Sequence, residues 1–246
     1  MVFPFKTEPA TFIERPNRFR VVARLQSTDV VIDAHCADPG RMRELLVPGV
    51  TVHVNKANNP NRKTAYDLRF VEHPIHGQLV SLDTRLPNQI FAEGLRDGFF
   101  PSFSDFQEMK AEVSAPDIGE SGVRSRFDFR LVDRDDRPCW IEVKSVTLVE
   151  EGVARFPDAP TVRGQRHVRE LTALTEQDQR AAVVFIVQRD DAKWVEPYVA
   201  IDPKFAAALI QAQDAGVELL AATCRLTTRD VVLHQMVPVF AQPRPS

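Results

Sequence analysis

Two short stretches, Arg124-Ser125-Arg126-Phe127-Asp128-Phe129 and Trp140-Ile141-Glu142-Val143-Lys144-Ser145, decide how this chain is read. Each interleaves charged and apolar residues inside an otherwise strand-like run. In a strand, side chains alternate between faces, so Glu142 and Lys144 point one way while Ile141, Val143 and Val146 turn toward a core. Asp128 sits likewise between Phe127 and Phe129. If the two strands are neighbours, two carboxylates and one ammonium converge on one edge. Such a trio can hold a hard divalent cation, Mg²⁺ or Mn²⁺, and position a water for attack on a phosphodiester.

An acid, any residue and then lysine also occurs as Glu108-Met109-Lys110, Asp191-Ala192-Lys193 and Asp202-Pro203-Lys204. The tripeptide alone therefore selects nothing, and context has to. Asp202-Pro203 reads as a helix cap with a first-turn proline, Asp191 and Lys193 lie in a polar connection, and Glu108 falls at a helix end. Only Glu142 to Lys144 lies in an apolar strand that follows a strand with a second acid. The same three residues would also suit a salt-bridged strand end that binds no metal.

A chain of 246 residues, 43% of them hydrophobic, can bury one large core or two modest ones. We expect two domains, residues 1–85 and 86–246. The net charge of −3 carries no whole-protein basic signature of nucleic-acid binding. Residues 1–85 hold 12 Lys plus Arg against 9 Asp plus Glu, and the remainder 19 against 25, so the N-terminal part is the better partner for a polyanion. Arginine supplies 24 of the 31 basic residues, and its planar fork suits bidentate phosphate contacts. Cys36, Cys139 and Cys224 are far apart and match no zinc spacing, so they read as reduced packing residues of a cytoplasmic protein. The longest apolar run, Ala181 to Val187, is too short for a membrane span, and no secretory start precedes it.

From Asn17 to about Asp83 the chain shows five short strand-like runs, Phe19 to Leu25, Val30 to Cys36, Val50 to Asn55, Ala65 to Val71 and Gln78 to Leu82. Turn signals at Pro39-Gly40, Pro48-Gly49 and Asn58 to Asn61 separate them. Five strands without long helices predict a small β-barrel of the oligonucleotide-binding type. Beyond Pro87 the periodicity changes. Helices are expected over 88–97, 103–109, Thr161 to Thr175 and Pro203 to Ala215. Strands are expected at Ala111 to Ser114, Ser125 to Val132, Cys139 to Val146, Ala181 to Val187, Glu218 to Cys224 and Val231 to Val237. That mixture describes an α/β domain with a mixed sheet, giving an α+β protein overall. The tail from Ala241 to Ser246 is expected to fray.

Projected at 3.6 residues per turn, the helix after the Glu142 strand places Arg163, Arg166, His167 and Glu170 on one face, with Val168 and Leu171 toward a core. Arg163 can then contact phosphate, and His167 can contact phosphate or aid proton transfer. For Arg166 a pair with Glu170 on a solvated face suffices. Asp158, in the stiff loop before that helix, joins the acidic cluster or fixes the turn. Arg124 and Arg126 flank Asp128 and can pair with the acids. In the barrel half, Arg15, Arg18, Arg20 and Arg24 interleave with Phe12 and Phe19, and a strand-to-loop turn exposes Asp38 and Arg41. Such a strip could bind nucleic acid with stacking aromatics, and an ordinary half-buried strand looks the same. No G-x-S-x-G and no phosphate-cradling glycine loop is present.

The chain resembles the sugar fermentation stimulation protein A family of bacteria and archaea. The resemblance rests on Glu14-Arg15-Pro16-Asn17-Arg18-Phe19, His35 to Met42, Arg124 to Phe129, Ile141 to Val146 and Phe156 to His167. It implies an N-terminal oligonucleotide-binding barrel, a C-terminal domain similar to the PD-(D/E)XK nucleases, sequence-nonspecific DNA binding and a regulatory link to sugar, especially maltose, metabolism. Carried over residue by residue, the nuclease pattern puts its acids at Asp128 and Glu142 and its lysine at Lys144, with Glu112 as a further metal ligand. Three functions compete: a DNA-binding regulator with a nuclease-like site, an active Mg²⁺-dependent nuclease of DNA or RNA, and an effector-binding regulator that makes no DNA contact.

Overall fold

The computed structural model describes residues 1–59, 62–116 and 125–244. Arg124, Pro60, Asn61 and the last two residues of the tail lie outside the described residues. The chain divides into two compact units. One comprises Met1–Leu86, Gln188–Asp190 and Cys224–Val232, the other Pro87–Val187, Asp191–Thr223 and Leu233–Ser246.

The first unit contains β1 (Glu8–Asn17), β2 (Arg20–Leu25), β3 (Val31–Cys36), β4 (Thr51–Lys56), β5 (Tyr66–Glu72) and β6 (Leu79–Ser81). Their order is β3-β2-β1-β4-β5-β6, and a parallel pairing of β3 with β5, Ala34 opposite Tyr66, closes β1 to β5 into a barrel. The period of two does the sorting. Val21, Ala23 and Leu25 of β2 and Ile32, Ala34 and Cys36 of β3 are buried, while Arg20 and Arg24 stay outside. The barrel uses a strand the sequence reading did not expect. Pro9 and Pro16 argue against β1, yet it pairs with both β2 and β4. Register shifts between Phe12 and Glu14 and between Glu14 and Asn17 take up the irregularity, as bulges commonly do around proline. The run expected as a fifth barrel strand, β6, only extends the sheet beyond β5.

The second unit contains α1 (Leu86–Arg96), a 3₁₀ turn at Pro101–Phe103, β7 (Phe106–Ser114), β8 (Arg126–Asp133), β9 (Pro138–Val146), β10 (Val149–Glu150) and β11 (Val153–Phe156). Then come α2 (Val162–Thr175), β12 (Arg180–Val187), β13 (Trp194–Pro197), α3 (Pro203–Asp214), β14 (Glu218–Leu226) and β15 (Val231–Val237), the last two with the residues from Cys224 to Val232 counted in the first unit. Six strands form a sheet in the order β15-β14-β12-β9-β8-β7. β14, β12 and β9 run parallel to one another, and β9, β8 and β7 antiparallel, so the sheet is mixed. The helix expected over 103–109 does not form. Glu108 lies instead in β7 opposite Val132 of β8, because pairing along the sheet outweighs local helix propensity.

The main core of this unit joins Trp140, Val146, Val183, Phe185 and Val187 of the sheet to Val168, Leu171 and Leu174 of α2 and Phe205, Leu209 and Ala212 of α3. Val146 thus shares a core with Trp140, correcting its expected grouping with Ile141 and Val143. Residues 140, 142, 144 and 146 differ by even steps, so strand periodicity gives Glu142 and Lys144 the same face. One carboxylate joins the two helix starts. Asp202 accepts from Phe205 N (2.9 Å) as the α3 cap, from Thr161 N (2.8 Å) and from Gln165 Nε2 (2.9 and 3.0 Å). Thr161 in turn caps α2 by accepting from Gly164 N at 3.0 Å.

Asp202 and Gly94 make this packing open to measurement. Burial opposes ionisation of Asp202, but the amide donors outweigh it and hold the carboxyl below its ordinary range. A depressed folded pKa contributes stability above the unfolded value of about 3.9 that disappears as pH falls through the folded one. Asp202→Ala should therefore cost more than a simple cap, above about 2 kcal/mol in urea unfolding at pH 7, with a smaller deficit at pH 3. At Gly94 in α1 an added Cβ would overlap Leu233 and come within 2.9 Å of Phe100. Gly94→Ala gains about 1 kcal/mol of helix propensity but incurs about 1–3 kcal/mol of overpacking, so a net loss in urea unfolding is expected.

Candidate metal centre

Asp128 stands where strand alternation breaks. Its neighbour Phe127 packs against Trp140 and His167, at 5.8 Å between centroids in each case, whereas Phe129 packs against Phe91 of α1 at 5.2 Å. Strict alternation would give both rings the same partners. The rungs between β8 and β9 run from Val132 opposite Pro138 to Phe129 opposite Ile141, and the Asp128 side chain then takes over from the backbone. Its Oδ2 accepts from Val143 N at 2.8 Å, and its Oδ1 accepts from Asn88 Nδ2 of α1, also at 2.8 Å.

Glu142 is 4% exposed on β9 and is held by two basic groups on one oxygen. Lys144 Nζ donates to Glu142 Oε1 at 2.6 Å, and His167 Nδ1 lies 2.7 Å from the same atom. The His167 approach lacks good hydrogen-bond geometry. Arg163 Nε donates to His167 Nε2 at 3.4 Å, which assigns the imidazole proton to Nδ1, facing Glu142. The other carboxylate oxygen, Glu142 Oε2, is buried without a hydrogen-bond partner among the described residues. A buried, unsatisfied anionic oxygen is costly, and a cation would satisfy it.

The two carboxyls sit in opposed electrostatic states. Burial first, and then the nearby Glu142 charge, push Asp128 above its ordinary pKa, against the lowering effect of Val143 N–H, Asn88 and Lys144. Burial also opposes ionisation of Glu142, but Lys144 and His167 together outweigh it and hold that carboxyl below its usual range. Two carboxyls pushed apart in this way are the signature of a working acid pair, or of a structural ion-pair network.

Among the described residues no three His, Cys, Asp or Glu side chains are arranged to share one ion. Asp128 and Glu142 are the two acids that could hold an ion, with water for the remaining positions, as Mg²⁺ sites commonly allow. Glu112, expected as a third ligand, is a correction. It takes φ +56° and turns to Arg126, 2.7 Å away, in a pair more than half exposed. Arg126 is accordingly spent on Glu112, and Arg124 lies outside the described residues.

His167, expected to touch phosphate, is 1% exposed and cannot reach a ligand's backbone; it packs beneath Glu142 instead. Arg163 is exposed at the start of α2, beside that imidazole. Arg166 reaches Ser125 Oγ at 3.2 Å and Glu170 at 3.7 Å. Asn88 was missed entirely. It lies 40 residues before Asp128 on another element, and no sequence spacing connects the two.

In the barrel unit the expected basic strip separates into different roles. Arg15 is consumed by structure, donating to the carbonyls of Gly40 (2.6 Å), Arg18 (2.7 Å), Asp38 (2.8 Å) and Arg41 (3.1 Å). It is thereby removed from the nucleic-acid contacts expected of it. Phe12 is 3% exposed and belongs to the barrel core, so it cannot stack on a ligand. Arg18 and Arg41 are exposed, and the Arg18 guanidinium stands 5.9 Å from the Phe19 ring centroid.

Residues 13–82 match the SfsA N-terminal OB domain, and residues 85–230 match the sugar fermentation stimulation protein RE domain. The chain belongs to the sugar fermentation stimulation protein family. A sugar fermentation stimulation protein homolog of Moorella thermoacetica is 46% identical over 95% of both chains, and one of Alkaliphilus metalliredigens is 43% identical over 94% of this chain and 95% of its own. The solved structure of Pyrococcus furiosus SfsA in complex with Ca²⁺ superposes with a TM-score of 0.84 at 30% identity, covering 98% of each chain. The first match spans most of the closed five-stranded barrel, and the second spans most of the mixed-sheet domain.

The site geometry makes Asn88 a positioning residue for Asp128. Loss of a group that orients a metal ligand commonly costs about 10–100-fold in metal affinity. Asn88→Ala should therefore weaken Mn²⁺ binding by about that factor in calorimetric titration, with little change in the urea midpoint.

Proposed function

We propose that this chain binds DNA without sequence preference and holds a divalent cation, Mg²⁺ or Mn²⁺, between Asp128 and Glu142 for phosphodiester hydrolysis. The observation that supports the reading is the buried Glu142 Oε2, which has no hydrogen-bond partner among the described residues while its twin oxygen meets both Lys144 and His167. The Ca²⁺ held by the Pyrococcus furiosus relative supports a divalent ion in this family's fold. When bound, such an ion would lower the pKa of a water and offset phosphate charge.

The protein's own groups have separate tasks. Val143 N–H and Asn88 fix both oxygens of Asp128, so its remaining lone pairs keep a set direction. Lys144 Nζ, tethered to Glu142, is placed to orient the attacking water or meet the charge that develops on phosphorus. His167 positions Glu142 from beneath, and Arg163 is the exposed cation at the start of α2 available to a phosphate. A regulatory role in sugar or maltose metabolism rests on the family resemblance alone and would act through the same DNA binding.

Purified protein incubated with single- and double-stranded DNA and RNA in Mg²⁺ or Mn²⁺ should cleave at least one of them. Lys144→Ala and Glu142→Gln should each abolish cleavage while leaving DNA retention in place. Binding without cleavage in the wild-type chain would leave a regulator with a nuclease-like site.

Linkage supplies an independent test. A raised folded pKa makes Asp128 favour the fold at low pH and lose that contribution as pH rises through the folded value. A cation restores it, so Mn²⁺ should raise the melting temperature more at pH 8 than at pH 5. At a hundredfold excess over Kd the gain is about 2.7 kcal/mol, and Glu142→Gln should erase it.

A further inference from the structure

The barrel carries a groove of ≈ 700 Å³ that involves none of the acidic residues of the metal centre. Phe19, Arg20, His35, Arg62, Lys63 and Arg85 contribute to its lining. Phe19 is 49% exposed, unusual for a phenylalanine at the start of a barrel strand. Its ring lies at 21° to the His35 ring, with centroids 6.3 Å apart, so the two present nearly parallel flat faces.

The arginines around those rings are braced. Arg20 donates through Nε and Nη2 to Asp33, Arg85 through the same two atoms to Asp83, and Arg62 pairs with Asp67 at 2.7 Å. Each guanidinium is oriented in advance by a carboxylate, and in Arg20 and Arg85 that contact leaves Nη1 for a further acceptor. Counting Arg69 and Lys63, five cations line the groove against the single lining carboxylate of Asp67, with Asp33 and Asp83 adjoining. Flat aromatic faces beside oriented cations match the alternation of bases and phosphates along a nucleic-acid strand. In a duplex the bases already stack on one another, so a ring held in a groove can accept only an unpaired base.

The geometry points to this groove as a binding site for single-stranded nucleic acid, with a base stacked on Phe19 and phosphates on Arg62, Lys63 and Arg85. The assignment deepens the nucleic-acid reading above and rests on it, but it places the contact on the barrel and gives it a strand preference. It keeps Phe19 and Arg20 of the expected basic strip and leaves out Arg15 and Phe12, which are used by the fold.

Fluorescence anisotropy of labelled dT15 and rU15 and of a duplex of equal length, with the full chain in EDTA, tests it. The single strands should bind tighter than the duplex. Phe19→Ala should weaken single-strand binding about tenfold, and Phe19→Trp should restore it. Lys63→Ala with Arg85→Ala should reduce the dependence of log affinity on log salt by about 0.7 for each phosphate that is no longer neutralised. Single-strand binding that is unchanged in both the Phe19→Ala and the Lys63/Arg85 variants would overturn the groove while sparing the wider reading. Failure of the wild-type chain to bind any of the three probes would overturn both.

Discussion

The second unit depends on how one buried carboxylate is paired. Glu142 lies 4% exposed in the middle of a mixed sheet, where an unpartnered charge would cost several kcal/mol. Lys144, two residues along the same strand, and His167, from α2, both meet its Oε1. The strand supplies the first partner by its period of two, and the second requires α2 to lie with His167 over β9. The Thr161 cap and the Asp202 contacts to Thr161, Gln165 and Phe205 define where that helix begins. Both basic groups meet one oxygen, and Oε2 has no hydrogen-bond partner among the described residues.

Asp128 is handled differently, and the difference is useful. It receives two neutral donors, Asn88 and Val143 N–H, and among the described residues no direct cation. Burial and the Glu142 charge therefore win, and its proton affinity rises, whereas Lys144 and His167 lower that of Glu142. Two carboxyls of unequal acidity near one ammonium make a site whose electrostatic tension a divalent ion would relieve. The break in alternation between Phe127 and Phe129 is what releases Asp128 from the ladder to take this place.

Arginine in the barrel divides between architecture and surface. Arg15 closes the loop at 38–41 onto β1 through three carbonyls and also meets that of Arg18, and Arg69 bridges Asp67, Asp83 and Asn55 while covering Phe5 at 4.4 Å. Arg20 and Arg85 are braced by carboxylates on the outside, where one edge of the fork still faces solvent. An arginine count therefore says little about ligand binding until each guanidinium's donors have been assigned.

Residue order alone determined the strands and helices whose periodicity is strong. It marked β2 to β5, β8, β9, α2, β12, α3 and β15 to within a few residues, because alternation and capping are local. It missed β1, whose prolines hide a strand that two neighbours stabilise, and mistook the start of β7 for a helix, because sheet pairing is not local. It also could not separate Arg15 from Arg18, or His167 as a buried support from His167 as a phosphate contact, since both depend on what surrounds the side chain. Asn88, Glu112 turned to Arg126, and the unpartnered oxygen of Glu142 were decided only when distant segments packed together. Partners and burial are properties of three-dimensional neighbours, and neighbours 40 residues apart leave no periodic trace in the chain.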